Sequence, residues 1–425
     1  MNTLPIQDLV CPQTGEELKL EEGELFTSST SYPIFNDIPW LFHNPEYSFL
    51  EWGTKISAFI AQEKRFIGYL QLVLQSEQNK LTLNRISKLI EAKQKNLVIF
   101  EKQLSVFLGH QEIPITSSSQ QIQSYFQLIF RDWCWEAEEL NEYCNFIKNT
   151  SPKNPKNILV LGAGACGLSY QIADHFENAQ VYSTDHNPFL FFMANDIMSG
   201  TETTLTDYSY FPKNLASTTH QWNINKAPLK NNNHHFILSG FPELPFKKDF
   251  FDIIVAPWFF DILEDEYQTS IQHALKHLHP DGTLISIGPA NVHKRAIYDQ
   301  LSSDEQVSYY KNIFSEVSSQ QRTVHYLNNP IHSQSRMEEV LFICANKKSS
   351  LNNPIIKKKT SKVAFSNELQ EYKLLNDTFH RVLKYISGDI ELAELTQKVQ
   401  TEFGFNPEEA EFYTEAIIKK IKLEM

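Results

Sequence analysis

A glycine-rich turn between a short apolar run and a helical pattern constrains this chain more than any other feature. The apolar run is Ile158–Leu161, and Gly162, Gly164 and Gly167 follow it before the helix begins. Glycines at this spacing allow a tight turn, a close approach of the backbone to a ligand, and tight packing of helix against strand. A second predicted strand ends at Asp185, a position from which a carboxylate can hold both hydroxyls of a ribose. This order of elements predicts a nucleoside-binding crevice at the carboxyl ends of parallel strands.

The segments that follow distinguish between the two ligand classes that use such a crevice, dinucleotides and S-adenosylmethionine. Phe251–Ala256 predicts a fourth parallel strand, and a Pro-Asp-Gly turn leads into a fifth, Thr283–Ile287. Thr323–Leu327 and Glu339–Cys344 then predict an antiparallel hairpin. This order resembles the class I S-adenosylmethionine-dependent methyltransferases, in which an antiparallel final strand inserts into the parallel sheet. The resemblance implies an α/β fold with a Rossmann-like seven-stranded sheet and S-adenosylmethionine as cofactor, and it disfavours a nicotinamide dehydrogenase.

The composition argues against several other classes of protein. A net charge of −13, from 51 acidic and 38 basic residues, argues against a broadly basic nucleic-acid surface. Five cysteines without paired spacing predict a reducing compartment and no disulfide framework. No apolar run reaches membrane-spanning length, and the polar start of the chain lacks the core of a signal peptide. We therefore expect a soluble cytoplasmic protein that binds neither membrane nor nucleic acid.

The sequence predicts five segments along the chain. Residues 1–45 form a small β-rich unit, 46–150 a helical cap, and 151–347 the domain that contains the sheet. Residues 348–362 are a polar, basic linker, and 363–425 form a helical or winged-helix module that ends in an amphipathic helix, Pro407–Lys422.

Three local predictions depend on weaker patterns. Gln120–Lys148 predicts one helix directly ahead of the sheet. The Asn-rich stretch Asn231–Asn233 predicts that His234 and His235 lie in an exposed loop without a metal. Ile262–Leu278 predicts a helix after the fourth strand.

Each end of the chain resembles a known module. CPQTGEEL and SYPIFNDIPWLF in the first segment resemble the zinc-ribbon modules that accompany bacterial and tRNA methyltransferases. Tetrahedral zinc needs four ligands, and only Cys11 of the expected cysteine pairs is present, so we predict no metal site. The last segment resembles the peptide-chaperone domains of the pyrroloquinoline quinone pathway, which implies a peptide or protein partner. A generic winged-helix packing module is the equal alternative.

Three segments of the core resemble the carnosine N-methyltransferase family. They are FRDWCWEAEEL ahead of the glycine turn, IVAPWFFDIL after the fourth strand and LISIGPANVH after the fifth. The family has an RDW-type motif, an aromatic pair followed closely by Asp, and a Gly-Pro with a histidine beyond it, and it methylates a ring nitrogen of histidine in a dipeptide. The resemblance covers roughly residues 120–300. It implies an N-methyltransferase whose acceptor is a small histidine-containing molecule or a peptide.

The resemblance also implies site residues, position by position. For the cofactor they are Arg131, Gly162, Gly164, Gly167, Asp185, Phe241 and Pro257. For the acceptor they are Trp258, Phe259 and His293, and the catalytic candidates are Asp261 and His293.

Each of these roles has a structural alternative. Trp258, Phe259 and Phe260 are expected to wall a dry pocket and to face a positive sulfonium, or else simply to pack in the core. Asp261 is expected to hydrogen-bond the acceptor nitrogen, or else to cap the following helix. Arg131 is expected to contact the methionine carboxylate, or else to form a salt bridge to a neighbouring helix.

Two departures from the family pattern affect the site. Gly240 stands where the family has an acid beside the adenine, so the adenine amino group would depend on backbone carbonyls or on Glu243. Asp261 follows the aromatic pair directly instead of after one residue, which reverses its direction along a strand unless a bulge restores it. Two alternatives to an N-methyltransferase of small molecules or peptides remain open: a degenerate methyltransferase that serves as a scaffold, and an RNA methyltransferase.

Overall fold

The computed structural model describes residues 5–109, 122–136, 138–263, 266–292, 300–347, 392–407, 409–411 and 413–414. The chain divides into two compact units, Met1–Pro354 and Ile355–Met425. The finer domain boundaries that the sequence suggests stay predictions. Within the described ranges, no helix is both long enough and apolar enough to cross a membrane.

The first unit consists of a short-stranded N-terminal segment, a helical cap and a large sheet. Its strands, in chain order, are β1 (Lys19–Glu21), β2 (Glu24–Phe26), β3 (Ser31–Tyr32), β4 (Ile34–Phe35), β5 (Ile38–Pro39), β6 (Asn157–Leu161), β7 (Gln180–Asp185), β8 (Thr203–Tyr208), β9 (Thr219–Ile224), β10 (His234–Leu238), β11 (Phe251–Pro257), β12 (Leu278–Pro289), β13 (Glu316–Tyr326) and β14 (Arg336–Asn346). Its helices are α1 (Pro45–Ser76), α2 (Lys80–Gln103), α3 (Ile122–Trp133), α4 (Glu138–Thr150), α5 (Gly167–His175), α6 (Pro188–Met198), α7 (Tyr267–Leu275) and α8 (Ser303–Ile313).

Seven of these strands form the central sheet in the order β10-β7-β6-β11-β12-β14-β13. The first five are parallel to one another, whereas β14 runs antiparallel between β12 and β13. Helices cover a parallel sheet on both faces, which explains the almost unbroken apolar sequences of β6 and β11. The strand order confirms the predicted Rossmann-like seven-stranded sheet with an inserted antiparallel strand. It brings the carboxyl ends of β10, β7, β6, β11 and β12 to one edge.

Strand β10 corrects the prediction that His234 and His235 lie in an exposed loop. Both are buried, because each imidazole finds a polar partner on β7: His234 Nε2 lies 2.8 Å from Ser183 Oγ, and His235 Nε2 lies 2.7 Å from Gln180 Oε1. Burial lowers the pKa of His234 to about 3 and that of His235 to about 4. The neutral imidazoles therefore behave as core residues of the sheet.

The helix predicted over Gln120–Lys148 is two helices in the described residues, α3 and α4. The amides of Cys134 and Trp135 both donate to the Phe130 carbonyl, which closes the end of α3. The Trp135 indole then turns away to donate to Asp207 Oδ2 at 2.8 Å. A tertiary hydrogen bond outside the segment thus overrides its helical pattern.

The N-terminal segment packs against the edge of the sheet. Leu41 donates its amide to the Leu238 carbonyl of β10 at 2.7 Å, and Val10 donates to Pro245 at 2.9 Å. Trp40 is fully buried and donates its indole N–H to the Pro45 carbonyl at the start of α1. The segment therefore has no separate core. It covers an edge strand that would otherwise expose unpaired backbone groups.

Cys11 lies in this segment as a buried free thiol, with its sulfur 3.1 Å from Tyr32 Oη. Among the described residues, no group of three or more His, Cys, Asp or Glu side chains is placed to hold a metal ion. The resemblance of the segment to a zinc ribbon stays a prediction.

A buried ion pair joins the two long helices of the cap. Lys93 Nζ on α2 lies 2.7 Å from Glu63 Oε2 on α1, and the two side chains are 0% and 7% exposed. The ammonium also donates to Tyr208 Oη at 3.1 Å and lies 5.0 Å from the Phe66 ring centre. This contact ties the cap to the hairpin of β8 and β9, which the sequence reasoning did not predict.

The same hairpin carries a buried carboxyl. Asp207 accepts hydrogen bonds from the Trp135 indole and from Asn329 Nδ2, and it thereby links the hairpin to the end of α3 and to the loop after β13. Burial raises the pKa of Asp207 to about 6.

The described part of the second unit contains one complete helix, α9 (Leu392–Phe403). Its apolar side chains Leu395 and Val399 are buried. The predicted linker, 348–362, lies outside the described residues, as does most of the predicted helix Pro407–Lys422. The resemblance of this module to a peptide chaperone stays a prediction.

Replacing the buried ammonium tests the cap contact. In Lys93→Met the Glu63 carboxylate stays buried without its cation, so we expect the free energy of unfolding to fall by about 3–5 kcal/mol. Urea denaturation measures the loss, and Lys93→Met combined with Glu63→Leu should recover most of it. Lys95→Met, which breaks the exposed pair with Glu91, is the control and should leave the midpoint unchanged. A Lys93→Met protein as stable as this control would contradict the role of the buried pair.

The raised pKa of Asp207 predicts a pH-dependent difference in stability. The folded state holds the proton more tightly than the unfolded chain, so the associated stability is present below about pH 4 and is lost as the pH rises through about 6. Asp207→Asn cannot ionise, so its stability relative to the original protein should rise by about 2–3 kcal/mol between pH 4 and pH 7. Urea denaturation at several pH values measures the difference, and a constant difference would contradict the prediction.

Candidate active site

The turn that joins β6 to α5 has a backbone conformation that most residues avoid. Gly162 and Gly164 have φ of +59° and +58°, and Cys166 has φ of +63°. Left-handed conformations cost a glycine little, but they strain a residue with a side chain. The amide of Ala163 donates to the Thr184 carbonyl of β7 at 3.0 Å, which fixes the start of the turn. The glycines found in the sequence are therefore required by the geometry of the turn.

Asp185 lies at the end of β7, directly beside this turn. Its Oδ2 accepts the Gly164 amide at 2.9 Å, and its Oδ1 accepts the Asn187 amide at 2.8 Å. Each carboxylate oxygen retains a further lone pair, so each is able to accept one ribose hydroxyl. The geometry therefore fits the predicted role of Asp185, which stays a prediction.

Three buried polar atoms near Asp185 have no hydrogen-bond partner among the residues that the structure describes. They are Tyr125 Oη, Asn187 Nδ2 and Ser239 Oγ. Burial raises the pKa of the Tyr125 hydroxyl, and the charge of Asp185 adds to the rise. The amide of Ser239 donates to the Asp185 carbonyl at 3.1 Å. A buried polar atom without a partner costs about 1–3 kcal/mol, so this cluster fits a polar ligand such as an adenosine.

Two of the predicted aromatic residues lie together over the glycine turn. A Cβ on Gly162 would lie 2.6 Å from Phe259 Cδ2, so the Phe259 ring is in direct contact with the backbone of the turn. Phe241 meets Phe259 edge-on, with the ring centres 5.1 Å apart. Pro257 ends the neighbouring strand β11, where it pairs with Ile287 of β12. The structure therefore brings Gly162, Phe241 and Phe259 into one cluster.

Arg131 lies between two carboxylates of the cap. Its Nε donates to Asp132 Oδ1 at 2.7 Å, and its Nη1 donates to Glu139 Oε1 on α4 at 3.2 Å. This is the salt bridge to a neighbouring helix that the sequence left open as an alternative. Contact between Arg131 and the methionine carboxylate stays a prediction.

The two residues after Arg131 hold the glycine turn, a role that the sequence reasoning missed. Gly167 donates its amide to Asp132 Oδ2 at 2.9 Å, and the Trp133 indole donates to the Ala165 carbonyl at 2.8 Å. Cys166, at the N-cap of α5, makes no side-chain capping hydrogen bond to the described first turn, and Asp132 from α3 caps this helix instead. The RDW motif could be recognised in the sequence, but the sequence did not indicate which residues its side chains contact.

The wall on the acceptor side is built around Trp258. This residue has φ of +49°, an outlier for so bulky a side chain, and its amide donates to the Ile287 carbonyl. Its indole donates to Tyr143 Oη at 2.9 Å, and its ring packs on Tyr326 with the centres 4.4 Å apart. Both tyrosines are distant in sequence, so the reasoning from motifs did not find them.

Asp261 lies at the mouth of this wall. A Cβ on Gly288, at the end of β12, would lie 3.8 Å from Asp261 Oδ1. Burial raises the pKa of Tyr326 and of Tyr267, and the negative charge of Asp261 adds to the rise in each. The carboxylate therefore lies near the carboxyl end of β12, close enough to both phenols for its charge to raise their pKa.

The structure excludes the alternative role of Asp261 as a helix cap. The helix predicted over Ile262–Leu278 begins only at Tyr267, and its N-cap is Glu266. At its other end α7 stops at Leu275, because Leu278 already belongs to β12, so the helix is shorter than the sequence pattern suggests. His293, the other catalytic candidate, lies outside the described residues.

With this geometry in place, comparison with known proteins identifies the family. The profile of the carnosine N-methyltransferase family matches residues 109–348, more than half of the chain. The chain belongs to this family. Its sheet has the strand order of the class I methyltransferases, a fold that binds S-adenosylmethionine. A search of curated proteins finds no significant match.

Solved structures similar to this member of the carnosine N-methyltransferase family are also methyltransferases. Two are phosphoethanolamine N-methyltransferase 2 of Haemonchus contortus, with S-adenosylhomocysteine and with S-adenosylmethionine; both are 14% identical, with TM-scores of 0.34 and 0.36. The alignments cover 53% and 56% of this chain and only 56% and 61% of those chains. A methyltransferase from Aquifex aeolicus is 13% identical over 50% of this chain and 98% of its own, with a TM-score of 0.31.

Substituting one glycine of the turn tests its close contact with α3. A Cβ at Gly167 would lie 2.6 Å from Asp132 Cβ and 2.9 Å from the Asp132 carbonyl oxygen, so Gly167→Ala must displace backbone. We expect at least about a tenfold loss of affinity for S-adenosylhomocysteine, measured by isothermal titration calorimetry. Gly68→Ala, in the open interior of α1, is the control and should bind as the original protein does. Unchanged binding by Gly167→Ala would contradict the importance of the contact.

Proposed function

We propose that this protein transfers a methyl group from S-adenosylmethionine to a nitrogen atom of a small histidine-containing molecule or a peptide. The observation that supports this most is the position of Asp261, beside Gly288 of β12 and within electrostatic reach of Tyr326. Asp261 and Trp258 follow β11, which lies next to β6 and its glycine turn, and the ring of Tyr326 at the end of β13 packs on Trp258. The family membership adds that histidine-containing dipeptides are the first acceptors to test.

The cofactor is assigned to the crevice between the glycine turn and Asp185. When bound there, S-adenosylmethionine supplies a methyl group on a positively charged sulfur, which a nitrogen lone pair is able to displace in line. The carboxylate of Asp185 and the unpaired atoms of Tyr125 and Ser239 are placed to hold its polar groups. Phe259, packed on Gly162, excludes water from the same side.

The acceptor side has two tasks, orientation and proton removal. Trp258 is held rigidly by its contacts with Tyr143 and Tyr326, so it presents a fixed flat surface to an imidazole ring. Asp261 accepts a hydrogen bond from the ring N–H, which leaves the other ring nitrogen with its lone pair free to attack. Bound S-adenosylmethionine would supply the methyl carbon of the new C–N bond and keep the sulfur as leaving group, and Asp261 or water would take the N–H proton of the charged product.

One observation favours the alternative of a scaffold protein. Gly240 stands where the family has an acid, and the nearby Glu243 is exposed, so neither replaces that carboxylate within the crevice. A degenerate methyltransferase would bind the cofactor and turn over no acceptor. RNA methylation is disfavoured by the net charge of −13.

A direct assay tests the proposal. With labelled S-adenosylmethionine, carnosine and short histidine-containing peptides, we expect a methylated product, identified by mass spectrometry. Asp261→Asn should lower kcat by at least about 100-fold and leave the affinity for S-adenosylhomocysteine within twofold, because the residue lies on the acceptor side. Asp304→Asn, in the exposed first turn of α8, is the control and should keep full activity.

Two outcomes would contradict the proposal. Binding of S-adenosylhomocysteine without methylation of any of these acceptors would favour the scaffold. Methylation by Asp261→Asn at the original rate would exclude Asp261 from the reaction while leaving the cofactor site as described.

A further inference from the structure

Three buried charged side chains, Asp132, Arg131 and Glu139, form a connection between the glycine turn and the acceptor wall around Trp258. It begins at the Gly167 amide, which donates to Asp132 Oδ2, and continues from Asp132 Oδ1 to the Arg131 guanidinium. Arg131 then donates to Glu139 Oε1. The other oxygen of Glu139 accepts the Leu327 amide at 2.8 Å. Three side chains thus link two backbone amides that are distant in sequence.

The charged side chains of this connection are well shielded from water. The side chains of Arg131, Asp132 and Glu139 are 14%, 1% and 6% exposed. Such a group is expensive to bury unless every charge has a partner, and removing one member leaves the others uncompensated. The surplus negative charge is balanced by the two backbone amides and by the N-terminal end of α5. The connection is therefore rigid and has little freedom to rearrange.

Both ends of the connection are in strained backbone that contacts the site. At the cofactor end, Gly167 follows Cys166, which has a left-handed conformation. At the acceptor end, Leu327 has φ of +48° and follows Tyr326, whose ring packs on Trp258. Strained conformations persist only where surrounding contacts enforce them. Each end of the connection supplies one such contact.

We propose that Asp132, Arg131 and Glu139 are positioning residues that fix the glycine turn and the acceptor wall relative to one another. The inference rests on the proposed function, because it assigns the cofactor to one end and the acceptor to the other. Asp132 acts on the cofactor through the Gly167 amide, and Glu139 acts on the acceptor through Leu327 and Tyr326. The two carboxylates should therefore affect different ligands, although one arginine joins them.

Two isosteric substitutions, each of which removes one charge, separate this role from a merely structural one. Asp132→Asn should weaken binding of S-adenosylhomocysteine by about tenfold, because a charge-assisted bond to the turn is lost. Glu139→Gln should leave that affinity within twofold, raise the KM for the acceptor several-fold, and speed hydrogen exchange at the Leu327 amide. Glu142→Gln is the control, because Glu142 lies on the same helix α4 but pairs with Arg322 at the surface.

Each result decides for or against the proposal. If both variants lower the melting temperature while the affinity, the KM and the hydrogen exchange match those of Glu142→Gln, the connection is only structural and the proposal is wrong. If Asp132→Asn does not fold, Arg131→Lys replaces it, since lysine keeps the charge but cannot donate to both carboxylates with the same planar geometry. If the original protein methylates no acceptor, the proposed function fails, and the affinity and exchange measurements still test the connection.

Discussion

The backbone of the turn between β6 and α5 is the constraint on which the site depends. Its left-handed residues are unfavourable in isolation, and they are held by groups from two other elements. Asp185 on β7 binds the Gly164 amide, Asp132 on α3 binds the Gly167 amide, and Trp133 binds the Ala165 carbonyl. The conformation of the turn therefore depends on tertiary contacts as much as on its own sequence. The backbone of the turn is shaped for a ligand only because these contacts hold it in place.

The sheet converts this local constraint into an arrangement with two sides. Because β11 lies directly beside β6, the residues that end β11 face the glycine turn across one strand spacing. Phe259 packs on Gly162, while Trp258 turns the other way, towards Tyr143 and Tyr326. The left-handed conformation of Trp258 marks the point where these two directions separate. Cofactor and acceptor sides thus share one wall of aromatic side chains.

The features that the sequence could predict are those written in local patterns. The strand, the glycines and the acid at Asp185 form a contiguous pattern, and the spacing of the later strands indicated the antiparallel insertion. The features that it missed depend on contacts between distant residues. His234 looked polar and exposed, but a serine on β7 provides a buried partner. The break between α3 and α4 depends on Asp207, which lies in a hairpin with no strong sequence signal.

The site residues show the same division. Phe259 packs on Gly162 and Asp185 binds the Gly164 amide, whereas Arg131 is bound by two carboxylates of the cap. The reason is that a motif indicates which residues matter without indicating their partners. Asp132 was part of the same motif, and only its long-range bond to Gly167 shows what it does.

Calorimetric titration of the unmodified protein with S-adenosylhomocysteine tests the central claim most directly. The account predicts one site per chain, together with protection of the Gly164 and Gly167 amides from hydrogen exchange when the ligand is bound. Absence of binding, or binding that leaves both amides as open to exchange as before, would contradict the assignment of the turn as the cofactor site.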